Sequence, residues 1–166
     1  MKDKFKQAYM SVAETFAKLS HCERAKVGAI IVKADRIISI GYNGMPAGYD
    51  NCCEDHLESY DARDANNPLD PRPWTYDPDT KKYHSLKSKP EVLHAETNAI
   101  AKVAQSAESS LGASLFCTHM PCLDCAKIIH QSGISEVYYD IDYVARKGSG
   151  KEFMIKSGIG VTQVCV

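Results

Sequence analysis

His94-Ala95-Glu96-Thr97-Asn98-Ala99-Ile100 and Pro121-Cys122-Leu123-Asp124-Cys125 are the two stretches on which the reading of this chain turns. The first opens a helical period. Ala95, Ala99, Ile100, Val103, Ala104 and Ala107 share one face, which predicts a helix from His94 to Ala107. The second opens another helix, Cys122 to Ser132, with Gly133 where a glycine suits a helix C-terminus. His94, Glu96, Cys122 and Cys125 therefore all fall in first turns. Side chains there lean back toward the N-terminus, so residues two apart can share a point above the helix end. One imidazole and two sulfurs suit Zn²⁺ and leave its fourth tetrahedral position open, as a catalytic site requires and a structural site does not. The helix N-terminus favours thiolates at Cys122 and Cys125. Glu96 stands outside the ligand set and is free to carry protons. Cys-x-x-Cys alone fits a structural zinc knuckle or a redox pair equally well, and His-x-Glu alone says little. Their joint occurrence at two helix starts selects the catalytic reading.

Working outward, residues 3–19 place Phe5, Ala8, Val12, Phe16 and Leu19 at spacings of three and four, the pattern of an amphipathic helix. Gly28–Lys33 and Arg36–Ile40 are β-rich runs joined by Ala34-Asp35, a hairpin signal. Their nearly continuous apolar character implies strands covered on both faces. Strands follow at 113–118 and 137–141, then a short helix at 152–157 and a closing strand at 160–166. The fold class is α/β: a three-layer α/β/α sandwich on a mixed sheet of about five strands, with parallel pairing in its second half. The whole chain, 1–166, reads as a single domain.

Two segments stand apart. Gly41-Tyr42-Asn43-Gly44-Met45-Pro46-Ala47-Gly48 holds three glycines and a proline, which fits either an irregular loop or a close approach of main chain to a ligand. Residues 50–90 are polar, carry five of the seven prolines and show no sustained period. They read as an insertion without regular structure, pinned over the core. A net charge of −1 argues against a chain built to grip nucleic-acid backbone. No apolar run is long enough for a membrane span, and Met1-Lys2-Asp3-Lys4-Phe5 lacks the apolar core of a signal peptide. Seven cysteines without such a signal point to metal ligands and reduced thiols in a cytoplasmic setting.

These residues together identify a resemblance. Val27-Gly28-Ala29, the Gly41–Gly48 loop, His94–Ile100, Pro121-Cys122-Leu123-Asp124-Cys125-Ala126-Lys127 and Gln131-Ser132-Gly133-Ile134 are similar to the cytidine/deoxycytidylate deaminase family, in its phage-type deoxycytidylate branch. The likeness runs from about residue 20 to residue 143, and the Gly41–Gly48 loop is what points to dCMP within the family. It implies zinc-dependent hydrolysis of dCMP to dUMP and ammonia, feeding thymidylate synthesis. It also implies a homohexamer activated by dCTP and inhibited by dTTP, with Mg²⁺ on the effector. By position, Asn43 and Tyr143 would contact substrate, and Gly41, Tyr42, Asn43 and Gly44 would form an effector loop. Arg24 and Lys26 are nearby cations for a phosphate, or else ordinary solvated charges.

Phage-type relatives carry a second, structural zinc, whose ligands match Cys22, Cys52 and His84 here. The family's glutamate two residues before the catalytic histidine is replaced by Val92, which leaves Glu91 or His56 as the fourth ligand. Three other readings share the zinc motif. A tRNA adenosine deaminase would need a basic face, and a free-cytidine deaminase would need no phosphate grip. A non-catalytic zinc scaffold that binds nucleotides would have no use for Glu96.

Overall fold

A computed structural model describes residues 1–67, 73–142 and 150–165; Tyr143 lies outside the described residues. The chain opens with α1 (Asp3–Ala17) and the hairpin of β1 (Gly28–Lys33) and β2 (Arg36–Tyr42). Ala34 and Asp35 take φ of 49° and 58°, the left-handed pair that a two-residue turn between twisted strands demands. A polar segment follows with β3 (Glu54–Ser59), the single turn α2 (Ala62–Ala65), β4 (Thr75–Asp77) and β5 (Lys82–Ser88). The second half alternates: α3 (Ala95–Ala104), β6 (Ser114–His119), α4 (Leu123–Gln131), β7 (Glu136–Ile141), α5 (Gly150–Lys156) and β8 (Gly160–Gln163).

Five of these strands form one mixed sheet in the order β2-β1-β6-β7-β8. β1 pairs antiparallel with both β2 and β6, whereas β6, β7 and β8 run parallel. The parallel pairs are joined by α4 and α5, as crossover connections require. On one face α1 packs Met10 and Ala13 against Ile30, Phe116 and Tyr138. On the other, Ala99 and Val103 of α3, Ala126 and Ile129 of α4 and Met154 of α5 cover Ile31, Leu115 and Val137. The expected α/β/α sandwich is the one observed. No helix among the described residues is long and apolar enough to cross a membrane.

Two expectations need correction. The fully buried residues of α1 are Met10, Ala13 and Ala17; of the expected stripe, Val12 and Phe16 pack partly buried beside them, while Ala8, Phe5 and Leu19 are exposed. The helix comes closest to the sheet at Gly28, where an added Cβ would lie 2.0 Å from the Ala13 carbonyl oxygen, so Ala13 and Ala17 face β1 and the aromatic ring of Phe16 sits at the flank. The segment at 50–90 is also not devoid of regular structure. It builds a separate antiparallel sheet, β3-β5-β4, with Glu54 opposite Ser88 and His84 opposite both Glu58 and Thr75. These strands escape a search for apolar alternation because they bury almost nothing: Glu54 and Ser85 are their only buried residues. Backbone pairing, not a buried face, organises them.

Candidate active site

The mixed sheet changes pairing direction at β6, and the site lies at that strand's C-terminal end, where an open α/β sheet leaves a crevice. From there the chain passes through Met120-Pro121 into α4, and the Met120 amide is held by the Ile141 carbonyl at 2.9 Å. Cys122 caps the helix: its Sγ accepts from the Cys125 N–H at 3.5 Å. Both sulfurs are thus fixed by the first turn. Gly150, at the start of α5, presses against this turn, where an added Cβ would lie 2.1 Å from the Pro121 carbonyl oxygen.

α3 brings the other half. Its N-terminus meets β2 at Gly41, where a Cβ would lie 2.1 Å from the Ala95 carbonyl oxygen. Three bonds tie the two elements: Ser39 Oγ donates to the Ala99 carbonyl at 2.7 Å, Asn98 Nδ2 to the Tyr42 carbonyl at 3.0 Å, and Lys102 Nζ to the Ile40 carbonyl at 3.1 Å. Leu93 is bridged to Gly44 by reciprocal backbone bonds of 2.9 and 3.1 Å, so the approach to His94 is set by the glycine loop. His94 occupies the N-cap position without using its side chain as a cap. The imidazole remains available to the site.

His94, Cys122 and Cys125 are brought together as expected. Nδ1 of His94 lies 3.2 Å from Cys125 Sγ and 3.6 Å from Cys122 Sγ. Zinc–nitrogen and zinc–sulfur bonds at a tetrahedral angle put such atoms about 3.6 Å apart. Among the described residues this is the one group of three or more His, Cys, Asp or Glu that meets within metal-ligand distance. Charge tells the same story. The Cys125 thiol, donating to Cys122, and the His94 imidazole hold the Cys122 thiol down at about 4. The Cys122 sulfur and burial push Cys125 up. His94 is raised by its bond to Cys122. Two adjacent sulfurs cannot both be negative without a cation, so the triad fits a divalent soft-to-borderline metal such as zinc. Glu96 is 4 % exposed, and burial raises its carboxyl above the ordinary value. That brings its proton affinity closer to what a group that both accepts and donates needs.

These residues border a cavity of about 540 Å³, within the range of small-molecule sites. Its other wall comes from Arg24 of the 22–27 loop, Glu54 and Ser88 of the polar sheet, and Lys89 and Pro90 just after β5. Glu54, buried, accepts the Glu23 and Arg24 amides at 3.2 and 3.4 Å, and Arg24 Nη1 donates to Ser88 Oγ at 3.0 Å. Asn43 also borders the cavity, but its amide works in the fold as well: Oδ1 accepts from the Val27 N–H at 2.7 Å and Nδ2 donates to the Ala25 carbonyl at 2.8 Å. Lys26 is exposed and is not part of the lining. Gly41 and Tyr42 belong to β2, so the irregular loop begins only at Asn43. His119, at the end of β6, lines the cavity as well. Sequence reasoning missed His119, Glu54, Ser88 and Lys89. His119 alone left a trace, a polar residue at a strand end three positions before a metal ligand.

The residues matched to a second zinc are not assembled. Cys22 is buried and shares a hydrogen bond with Cys53, not with Cys52, and burial pushes it up to about 12. Cys52 is exposed, with its Sγ 3.4 Å from the Glu54 carbonyl. His84 stands 3.7 Å from both Glu58 and Asp77, His56 3.3 Å from Glu23, and Glu91 is exposed. Where the chain enters β3 it buries Cys53 and Glu54 together and leaves Cys52 at the surface.

The family model described as the cytidine and deoxycytidylate deaminase zinc-binding region matches residues 3–141. The chain belongs to the cytidine and deoxycytidylate deaminase family. The deoxycytidylate deaminase of Enterobacteria phage T4 is 35% identical over 173 residues, spanning 93% of this chain and 87% of the phage protein. The structure of dCMP deaminase from cyanophage S-TIM5, in complex with dCMP and dUMP, superposes with a TM-score of 0.76 at 40% identity over 98% of each chain. A tRNA A34 deaminase superposes at a TM-score of 0.54 and 22% identity, covering 95% of this chain and 98% of that one, which shows a shared fold alone.

Proposed function

We propose that this chain is a zinc-dependent dCMP deaminase, hydrolysing dCMP to dUMP and ammonia. The observation that carries the reading is the juxtaposition of the His94–Cys122–Cys125 triad and buried Glu96 with a cavity wall presenting Arg24 and Lys89. When bound, zinc supplies Lewis-acid activation of a water molecule. Glu96 accepts a proton from that water as its oxygen attacks the ring carbon bearing the amine. The same carboxyl passes that proton to the adjacent ring nitrogen, then takes the proton of the added hydroxyl and hands it to the amine, so that the C–N bond breaks, ammonia leaves and the carbonyl forms. The closed first turns of α3 and α4 keep the triad in place throughout, and Arg24 and Lys89 offer positive charge to a phosphate. Similarity to the phage T4 and cyanophage enzymes supports dCMP as the substrate.

Ammonia release from dCMP, CMP, deoxycytidine and an RNA hairpin tests the substrate. Preference for deoxycytidine or RNA over dCMP would sink the assignment. Glu96→Gln is expected to lower turnover by about 10²- to 10⁴-fold while keeping its zinc. Near-normal turnover in that variant would overturn the mechanism.

Activation by dCTP, inhibition by dTTP, Mg²⁺ on the effector and a homohexamer are part of the same proposal, supported by the family resemblance. A physical route supports the regulation: the Gly44–Leu93 bridge lets any movement of the glycine loop reach His94 directly. Saturation curves with each triphosphate, and the mass of the native assembly, are the tests. The second zinc that the resemblance implies at Cys22, Cys52 and His84 would require Cys52 and His84 to leave their present partners. Metal analysis is therefore expected to give one zinc per chain unless those residues rearrange around a second ion. Two per chain would show that they do.

A further inference from the structure

We infer that His119 is a specificity-determining residue of this cavity, donating a hydrogen bond from Nε2–H to a carbonyl or hydroxyl oxygen of the bound nucleoside. The inference rests on the reading of the cavity as a deoxynucleotide site. Its basis is the neighbour on β6. Thr118 is 5 % exposed, and its Oγ1 accepts the Gly28 N–H at 3.1 Å. The same Oγ1 lies 3.1 Å from Nδ1 of His119. If Nδ1 carried the proton and donated to Oγ1, the Thr118 hydroxyl hydrogen would be a buried donor with no acceptor among the contacts of the described residues. If instead the hydroxyl donates to Nδ1, every group is satisfied and the ring proton sits on Nε2. The fold thereby fixes the tautomer.

Among the described residues, Nδ1 of His119 has a protein partner and Nε2 has none, while the half-buried ring lines the same cavity as His94, Glu96 and Cys122. Burial also lowers its proton affinity, so the ring stays a neutral single donor. A neutral N–H suits an uncharged oxygen such as the pyrimidine 2-carbonyl or a sugar hydroxyl. Neither is bonded to the carbon at which the amine is exchanged for oxygen. A bond to an atom that is not itself reacting is made in the bound substrate and kept at the transition state, so it acts mainly on KM and little on kcat.

The test uses the zinc-loaded full chain and dCMP. His119→Leu is expected to raise KM about tenfold with kcat held within about twofold, and His119→Gln, which restores an N–H donor, to recover most of the loss. An unchanged KM in the leucine variant would overturn the inference. So would a fall in kcat at constant KM, or equal KM values for the leucine and glutamine variants. Nitrogen-15 NMR of the wild-type ring decides the tautomer without any variant: a proton on Nε2 supports the inference and one on Nδ1 refutes it. A wild-type protein inactive on dCMP would sink the substrate reading itself. An active wild type with an insensitive leucine variant sinks only the role of His119.

Discussion

Cys122 carries more of the chemistry than its exposure suggests. With no metal bound, its thiol is held at about 4 by the hydrogen bond from Cys125 and by His94. The sign follows directly: a lowered value means thiolate at every pH above it, so Cys122 is nucleophilic in mildly acidic solution where ordinary thiols are protonated. Metal-free protein treated with iodoacetamide near pH 6 is expected to be alkylated first at Cys122, and zinc should protect it. Cys22 and Cys117, both buried and both pushed up, should stay unmodified. Peptide mass mapping reads all three. Labelling of Cys117 before Cys122 would show that the pair is not organised as described.

Among the elements, the contact of β2 with α3 decides how the site is held. Gly41→Ala places a methyl 2.1 Å from the Ala95 carbonyl oxygen and 2.6 Å from the Ala99 nitrogen, both backbone atoms that cannot swing aside. Such overpacking is expected to cost about 1–3 kcal/mol or more, read by urea denaturation, with a parallel loss of turnover as the first turn of α3 shifts. The elements themselves were largely legible in the sequence. The hairpin announced itself through Gly28–Lys33 and Arg36–Ile40, and α3 and α4 through apolar spacing and Gly133, because each buries a face and burial leaves a period. The triad was legible for a related reason, since metal ligation restricts residue type as well as spacing. The sheet of β3, β4 and β5 was not, because strands with two exposed faces carry no alternation. His119, Glu54 and Lys89 were hidden because what makes them part of the cavity is tertiary placement, and no local pattern encodes it. The resemblance paired Cys22 with Cys52, whereas the structure sets Cys22 beside buried Cys53 and leaves Cys52 exposed, a choice between adjacent cysteines that no local pattern encodes.

For the molecule as a whole, the metal would join segments that the chain keeps apart. His94 opens α3 and both sulfurs belong to α4, so a bound ion clips two helices on one face of the sheet and stabilises only the folded state. Apparent stability should therefore rise by about 1.4 kcal/mol for each tenfold excess of free zinc over its dissociation constant. A melting temperature measured across a zinc-buffer series checks this, and one indifferent to zinc would mean the triad does not ligate it in the native fold. The cavity has a different dependence on the chain. Its metal side is carved from the mixed sheet and its helices, whereas Glu54 and Ser88 come from a sheet that shares no strand ladder with the first, and Lys89 and Pro90 from the segment that leaves it. The two halves of the site are thus separable in a way the fold alone would not suggest. The polar sheet behaves as a cassette: exchanging residues 50–90 between relatives should change which nucleotides are admitted while the hydrolytic apparatus stays intact, so new substrate ranges can be reached by grafting one segment instead of rebuilding a centre.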